Sequence, residues 1–180
     1  LVATMGGAAR ERAAPIAAID RQNAPLMVSA RPAAQQRATE LVAREGEIIG
    51  LAGLAGHGQT RLLLDIFGAR PGREGSISVA APVALVAGDR QTDGIFPLWS
   101  IADNIGIRSL QALRRGLLVS QELETGFAER WRQRIGIRTQ NLDNNILSLS
   151  GGNQQKALFA RALGSDARII LMDNPMRGVD

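Results

Sequence analysis

Leu149-Ser-Gly-Gly-Asn-Gln-Gln-Lys156 is followed at short range by Ile169-Ile-Leu-Met-Asp173, and the reading of the fold starts from that pairing. A Ser-Gly-Gly turn opening a helix offers a hydroxyl and uncrowded backbone N–H groups to an anion. The apolar run ending in aspartate has the composition of a buried parallel strand, placed to deliver a carboxylate to a metal ion. Together the two segments predict a surface that handles ATP.

Upstream, Gly53-Leu-Ala-Gly56-His57-Gly58-Gln59-Thr60 keeps the spacing of the phosphate-binding pattern G-x-x-x-x-G-K-[ST] except at one position. In such a loop the glycines let backbone N–H groups surround the phosphates, a lysine neutralises their oxygens, and Ser or Thr holds Mg²⁺. Gly53, Gly56, Gly58 and Thr60 retain the first and third roles, but Gln59 stands where lysine belongs. Lys156 is the only lysine among the 21 cations, so no other ammonium can replace it from within the chain; Arg61 is the nearest cation in sequence. Gln59 donates hydrogen bonds without charge, which predicts weaker ATP binding and a poorly stabilised transition state. A ligand-free glycine turn is the plainer alternative, and the register of three glycines with Thr60 weighs against it. Asp173, alone, would read as a strand-end capping residue; its closeness to the Ser-Gly-Gly segment favours Mg²⁺. The next position should hold a carboxylate to polarise an attacking water and holds Asn174, whose amide has no useful basicity. Hydrolysis at the chain's own site is therefore expected to be severely impaired.

The 180 residues are enough for one domain, or one domain with a subdomain, at 45% hydrophobic and 21% charged residues. The net charge is +4, and Arg114-Arg115 with Arg130, Arg132 and Arg134 form the only close basic sets. They read as solvated helix faces, and no nucleic acid is expected. The chain has no cysteine and no apolar run approaching a membrane span, and its first residues lack the order of a signal peptide. A soluble, cytoplasmic protein is expected. His57, the only histidine, reads as a surface side chain, and a metal site built on protein ligands alone has no support.

Residues 1 to about 25 show no sustained period and read as a linker or the end of something upstream. Strands are expected at Leu26–Ala30 and Thr39–Arg44, then a central strand at Glu47–Ala52 before the glycine loop. A helix follows from Thr60 to Phe67, closed by Gly68, and short strands at Ser76–Val79 and Val83–Val86. Ser100 caps a helix through Ile105. Residues 108 to 136 carry a helical pattern with Leu110, Leu113, Leu117 and Leu118, divided by Gly116, Gly126 and Gly136 into two or three short helices. Ser150 caps a helix over Gly152 to about Leu163, and Ala167–Met172 returns as a strand. The fold class is α/β: a mainly parallel sheet with an N-terminal antiparallel β part and a helical subdomain at about 100–150, the final strands expected to be missing beyond Asp180.

With both loops and the Ser-Gly-Gly segment in place, the chain from about residue 24 to 180 resembles the ATP-binding cassette (ABC) family of P-loop NTPases. Leu149, Ser150, Gly151, Gly152, Asn153, Gln154, Gln155 and Lys156 look like the signature of ATPase subunits in bacterial monosaccharide importers of the ribose, galactose and xylose type. Asp89-Arg90, Gly94 and Ser100-Ile-Ala-Asp-Asn104 are similar to the segment that replaces the usual glutamine loop in their second cassette. Arg177-Gly-Val-Asp180 resembles their D-loop.

The resemblance implies two cassettes in one polypeptide facing head to tail, each ATP lying between one phosphate loop and the opposite signature. Gln59 points to the second, C-terminal cassette, and residues 1 to 25 would end the first. Departures from the pattern are Gln59, Asn174 and Gly88, where a polar side chain is expected to sense the γ-phosphate, and no aromatic near Leu26–Ala30 is available to stack on adenine. The signature would complete the partner cassette's site, while the chain's own site would be inactive. Ile95-Phe-Pro-Leu-Trp99 would lie near the membrane permease, with burial in the chain's own core as the alternative. A periplasmic sugar-binding protein is implied indirectly, and the location would be peripheral on the inner face of the cell membrane. Two other readings remain. One is a non-hydrolysing regulatory nucleotide-binding module. The other is a repair or chromosome-structure ATPase, disfavoured because about 90 residues between loop and signature leave no room for a long coiled coil.

Overall fold

The computed structural model describes residues 23–31, 40–54, 56–68 and 76–176. The region before residue 23 and the Arg177–Asp180 segment lie outside them. β1 (Leu26–Arg31) pairs antiparallel with β2 (Leu41–Arg44) on one side. α1 (Gln59–Phe67) follows the glycine loop, and β3 (Ser76–Val79) then pairs antiparallel with the other side of β1. β4 (Val83–Val86) leads into a helical region: α2 (Ile101–Gly106), a hairpin of β5 (Arg114–Arg115) and β6 (Leu118–Val119), α3 (Gln121–Ile135) and α4 (Gly151–Gly164). β7 (Ile169–Met172) returns parallel to β4, Val83 opposite Ile169 and Val86 opposite Met172. Among the described residues, β4 and β7 are the parallel part of the fold.

Alternation along these two strands divides the interior. Ala84, Val86 and Ile170 join a cluster with Ile101, Ile105, Phe127, Ile146 and Leu158 of the helical region. Val83, Leu85, Ile169 and Leu171 face the other way, onto Met27, Val28, Ala30 and Ile66. The β4–β7 pair is thus covered on both faces, as its near-continuous apolar sequence requires.

Local signals account for most element ends. Ser100 Oγ accepts from the Asp103 N–H at 3.0 Å, and the Asp103 carboxylate accepts from the Ser100 N–H at 3.2 Å, a complete capping box opening α2. Gly68 closes α1 at φ 78° and Gly136 closes α3 at φ 69°, both left-handed conformations that favour glycine.

Two expectations require correction. The strand expected at Glu47–Ala52 is not formed: residues 48–53 make no backbone hydrogen bond among the described residues, and Ile48 is 97% exposed. An apolar run becomes a strand only beside a neighbour that completes its ladder, and a groove of about 1190 Å³ lies between this segment and β7. The helical pattern expected from residue 108 also gives way. After a short 3₁₀ turn at Ile107–Ser109, Gly116 at φ 66° reverses the chain into the β5–β6 hairpin. Leu113 is buried while Leu117 and Leu118 are exposed, so their helical spacing is coincidental. α3 runs through Gly126 unbroken, since one glycine costs a helix only about 1 kcal/mol and Phe127 and Ala128 beside it are buried. Arg132 bonds Glu129, and Arg130 and Arg134 lie over the Phe127 and Trp131 rings.

Glu124 of α3 carries a carboxyl raised above its ordinary value, chiefly by burial and secondly by the Asp103 charge. The folded form therefore holds this proton more tightly than the unfolded chain. Its contribution to stability is full below the unfolded pKa and is lost as pH rises through the raised folded value. Glu124→Gln is expected to flatten that decline, read as denaturant midpoints across the weakly acidic range; an unchanged pH profile would contradict the assignment.

Candidate functional site

The glycine loop, the start of α1 and the end of β7 converge. Gly56 at φ 83° and Gly58 at φ 97° adopt the left-handed backbone that curls the loop, and Gly58 is the residue from which α1 starts. Thr60 Oγ1 donates to Asp173 Oδ2 at 2.9 Å across 113 residues of sequence. The two groups expected to serve Mg²⁺ are thus adjacent, one at the first turn of α1 and one just past β7. A hydroxyl beside a carboxylate is an oxygen donor set suited to Mg²⁺. Among the described residues no cluster of three or more His, Cys, Asp or Glu could hold a metal, so an ion here would share its shell with a nucleotide.

The departures have structural correlates. Gln59 folds back, its Nε2 donating to Leu54 O at 3.4 Å and lying across Gly53, where a Cβ would meet it at 2.5 Å. Arg61 pairs with Asp65 one turn along α1 at 3.8 Å. Asn174 has φ 40°, a conformation asparagine tolerates, and its Nδ2 donates to Asp173 Oδ1 at 3.4 Å. Gly88 stands against the same carboxylate: a Cβ there would come within 2.7 Å of Asp173 Oδ2. Glycine therefore leaves the space that the Asp173 side chain fills.

Gly53, Gly56, Gln59, Thr60, Asp173 and Asn174 line the groove between residues 41–54 and β7; His57, Gly58 and Arg61 do not. His57 is exposed. No residue of the 149–155 segment lines it either.

That segment opens α4 elsewhere on the surface. Ser150 occupies the capping position without bonding its helix's first-turn N–H groups through its side chain, and its Oγ instead accepts from Asn153 Nδ2 at 3.0 Å. Asn153 Oδ1 in turn accepts from the Arg138 N–H at 2.9 Å, fixing the helix start against the loop after α3. Ser150 is exposed and Gly151 and Gly152 half-exposed, whereas Leu149, Gln154 and Gln155 are buried. Gln154 Nε2 donates to Leu149 O at 3.0 Å, so Gln154 supports the turn from inside. Asp180 lies outside the described residues.

Sequence reading quoted Asn104 within a motif but missed its pairing with the half-buried Arg161. Asn104 is fully buried and makes bonds to both the N–H and the C=O of Phe96. The capping box four residues earlier was the available signal, because it fixes which face of α2 turns inward.

The profile of the ABC transporter family matches residues 37–177. The chain belongs to this family. It is 38% identical over 156 residues to an arabinose import ATP-binding protein, AraG, of Mannheimia succiniciproducens, covering 78% of this chain and 31% of that protein. It is 40% identical over 159 residues to a ribose import ATP-binding protein, RbsA 1, of Rubrobacter xylanophilus, covering 80% of this chain and 32% of that one. The chain thus spans about a third of the length of these relatives. A solved dimeric structure of the ATP-binding cassette MJ0796, bound to ADP and Pi, superposes with a TM-score of 0.70 over 86% of this chain and 76% of that one. At 22% identity that likeness speaks to the fold alone. This ABC cassette has no helix, among the described residues, long and apolar enough to cross a membrane.

Crowding at Gly88 makes a direct prediction. Gly88→Ala is expected to destabilise the chain by roughly 1–3 kcal/mol, the range for overpacking, and Asp173→Ala in the same chain should recover most of that loss. Denaturant midpoints of the four proteins in the cycle measure it; additive effects would contradict the contact.

Proposed function

We propose that this chain is the second cassette of a two-cassette ATPase subunit in a bacterial sugar importer, and that it acts through its signature rather than its own phosphate loop. The observation that carries the reading is the separation of the two surfaces: Ser150, Gly151 and Gly152 take no part in the groove around Thr60 and Asp173. An exposed helix N-terminus remote from its own nucleotide groove fits a site completed on another cassette. The import of arabinose and ribose named for the relatives supports a pentose or similar monosaccharide as cargo.

In this reading the loop backbone around Gly53 and Gly56 would hold ATP phosphates, and Thr60 with Asp173 would hold Mg²⁺ alongside them. The bound ion supplies charge neutralisation. The chain's own residues offer little else for chemistry: Gln59 is neutral, and Asn174 cannot accept a proton from water. The facing cassette's lysine and carboxylate would carry hydrolysis, with Ser150 and the α4 N–H groups bearing on its nucleotide. Phe96, Leu98 and Trp99, exposed beside buried Ile95, would meet the permease. A solute-binding protein would act on that permease from the outside, and the cassette would sit on the inner face of the membrane.

Steady-state ATP hydrolysis by the facing cassette, with and without this chain, tests the reading. Stimulation is expected, and Ser150→Arg should reduce it roughly 100-fold, the scale on which lost charge-stabilising donors act. Gln59→Lys should strengthen ATP binding to this chain about tenfold or more, equivalent to about 1.4 kcal/mol or more, without conferring hydrolysis. Hydrolysis by the wild-type chain alone would contradict the proposal. Binding without stimulation would favour the regulatory module instead.

A further inference from the structure

The exposed tip Phe96–Trp99 is fastened at both ends of the segment that carries the signature. Near the start of that segment, Asn145 Nδ2 donates to Pro97 O at 2.8 Å and the Ile146 N–H donates to Trp99 O at 3.1 Å. Asn145 precedes Ser150 by five residues. Far along α4, about 16 Å from Ser150 at the ordinary helical rise, Arg161 holds the other side. Its Nη1 donates to Gly94 O at 2.6 Å, its Nε to Asn104 O at 2.6 Å and its Nη2 to Asn104 Oδ1 at 2.8 Å. The guanidinium also lies 5.1 Å from the centre of the Phe96 ring, which stacks on Trp99 at 4.5 Å.

Arg161 has no carboxylate partner among the described residues. Burial, and secondly the charge of Arg108, push its pKa down to about 10, so it remains a cation at neutral pH. A half-buried charge satisfied by carbonyls and a ring is a costly way to fill space that an apolar side chain could occupy. The same group serves well as a strut, because its planar fork fixes three acceptors at once. Around it α4 is clamped into the core by Ala157, Leu158, Ala160 and Ala162.

We propose that the Phe96–Trp99 tip and α4 move as one rigid unit, and that Arg161 and Asn145 are the positioning residues through which a load on the tip reaches Ser150. The proposal rests on the function proposed above, in which a permease subunit bears on the tip and Ser150 enters the facing cassette's site. Attachment at two separated points makes the tip unable to swing without breaking one bonded set, which is the physical condition for transmitting a displacement.

The test uses the full-length ATPase subunit reconstituted with its permease in lipid vesicles, reading ATP hydrolysis with and without permease. Arg161→Lys keeps the charge and loses the fork; Asn145→Ala alters an exposed side chain and keeps the core. Each is expected to keep basal hydrolysis within about twofold and to co-purify with the permease. Each should lose roughly fivefold or more of the permease-induced change in rate, the lower range of allosteric coupling. A parallel fall in basal hydrolysis and melting temperature, with that change intact, would mark a merely structural role and overturn the proposal. Should Arg161→Lys fail to fold, Asn145→Ala decides alone. Ser150→Arg runs alongside: if it leaves hydrolysis untouched, the function proposed above fails and takes this link with it. If Ser150→Arg abolishes hydrolysis while both positioning variants respond to permease like wild type, only the link is refuted.

Discussion

The hydrogen bond from Thr60 to Asp173 joins the first turn of α1 to the end of β7, and the arrangement of the nucleotide side of the molecule depends on it. Three features meet at the Asp173 carboxylate: the hydroxyl of Thr60, the amide of Asn174, and the bare backbone of Gly88. A side chain at position 88 would displace that carboxylate. A carboxylate at position 174 would bring a second negative charge beside it, and two close carboxylates raise each other's pKa. The neutral residues at positions 59 and 174 therefore leave Asp173 as the one charged group among Gly53, Gly56, Gln59, Thr60, Asp173 and Asn174, which line the groove. In the function proposed above, this site holds a nucleotide rather than reacting with it.

The helical side is organised around a different constraint. Asn104 and Arg161 place polar groups where the core is otherwise apolar, and they bond backbone at Gly94, Phe96, Ser100 and Asn104 and, through Arg161 Nη2 to Asn104 Oδ1, each other. The wide five-residue turn at Arg90–Gly94, capped by Asp89, brings Gly94 so close to Leu158 that a Cβ would lie 2.8 Å from its methyl. Close approach there lets Arg161 reach the carbonyl. An exposed apolar tip thus stands on backbone that is hydrogen-bonded by Asn104 and Arg161. Leu98 is 90% exposed above this base.

Most of this fold was legible wherever a local rule and a tertiary need coincided. Ser100 with Asp103, Gly68, and the apolar β4 and β7 runs each carry their own signal, and the phosphate loop is read from the register of Gly53, Gly58 and Thr60. Legibility ended where the deciding partner lies far away in sequence. The run Glu47–Ala52 has the composition of a central strand, but strand formation depends on a hydrogen-bonded neighbour, which its own residues cannot supply. Leu110, Leu113, Leu117 and Leu118 match a helical period, yet one left-handed glycine at 116 outweighs it. Arg161 looked like one of many scattered arginines, because nothing local marks a cation whose acceptors lie 57 and 67 residues away. The signature was read as a site, and its division into an exposed Ser-Gly-Gly face and a buried pair of glutamines follows only from the packing of α4.

The central claim is that Ser150 belongs to another cassette's nucleotide site. The chain contains no cysteine, so Ser150→Cys introduces a single thiol whose partner can be chosen. With one further cysteine placed in the phosphate loop of the facing cassette, disulfide formation under mild oxidation measures their approach directly. The account predicts a cross-link between the two cassettes that forms with ATP and Mg²⁺ and is weak without them. A thiol at position 150 that stays unlinked in the presence of ATP, while the assembled subunit still hydrolyses it, would contradict the account.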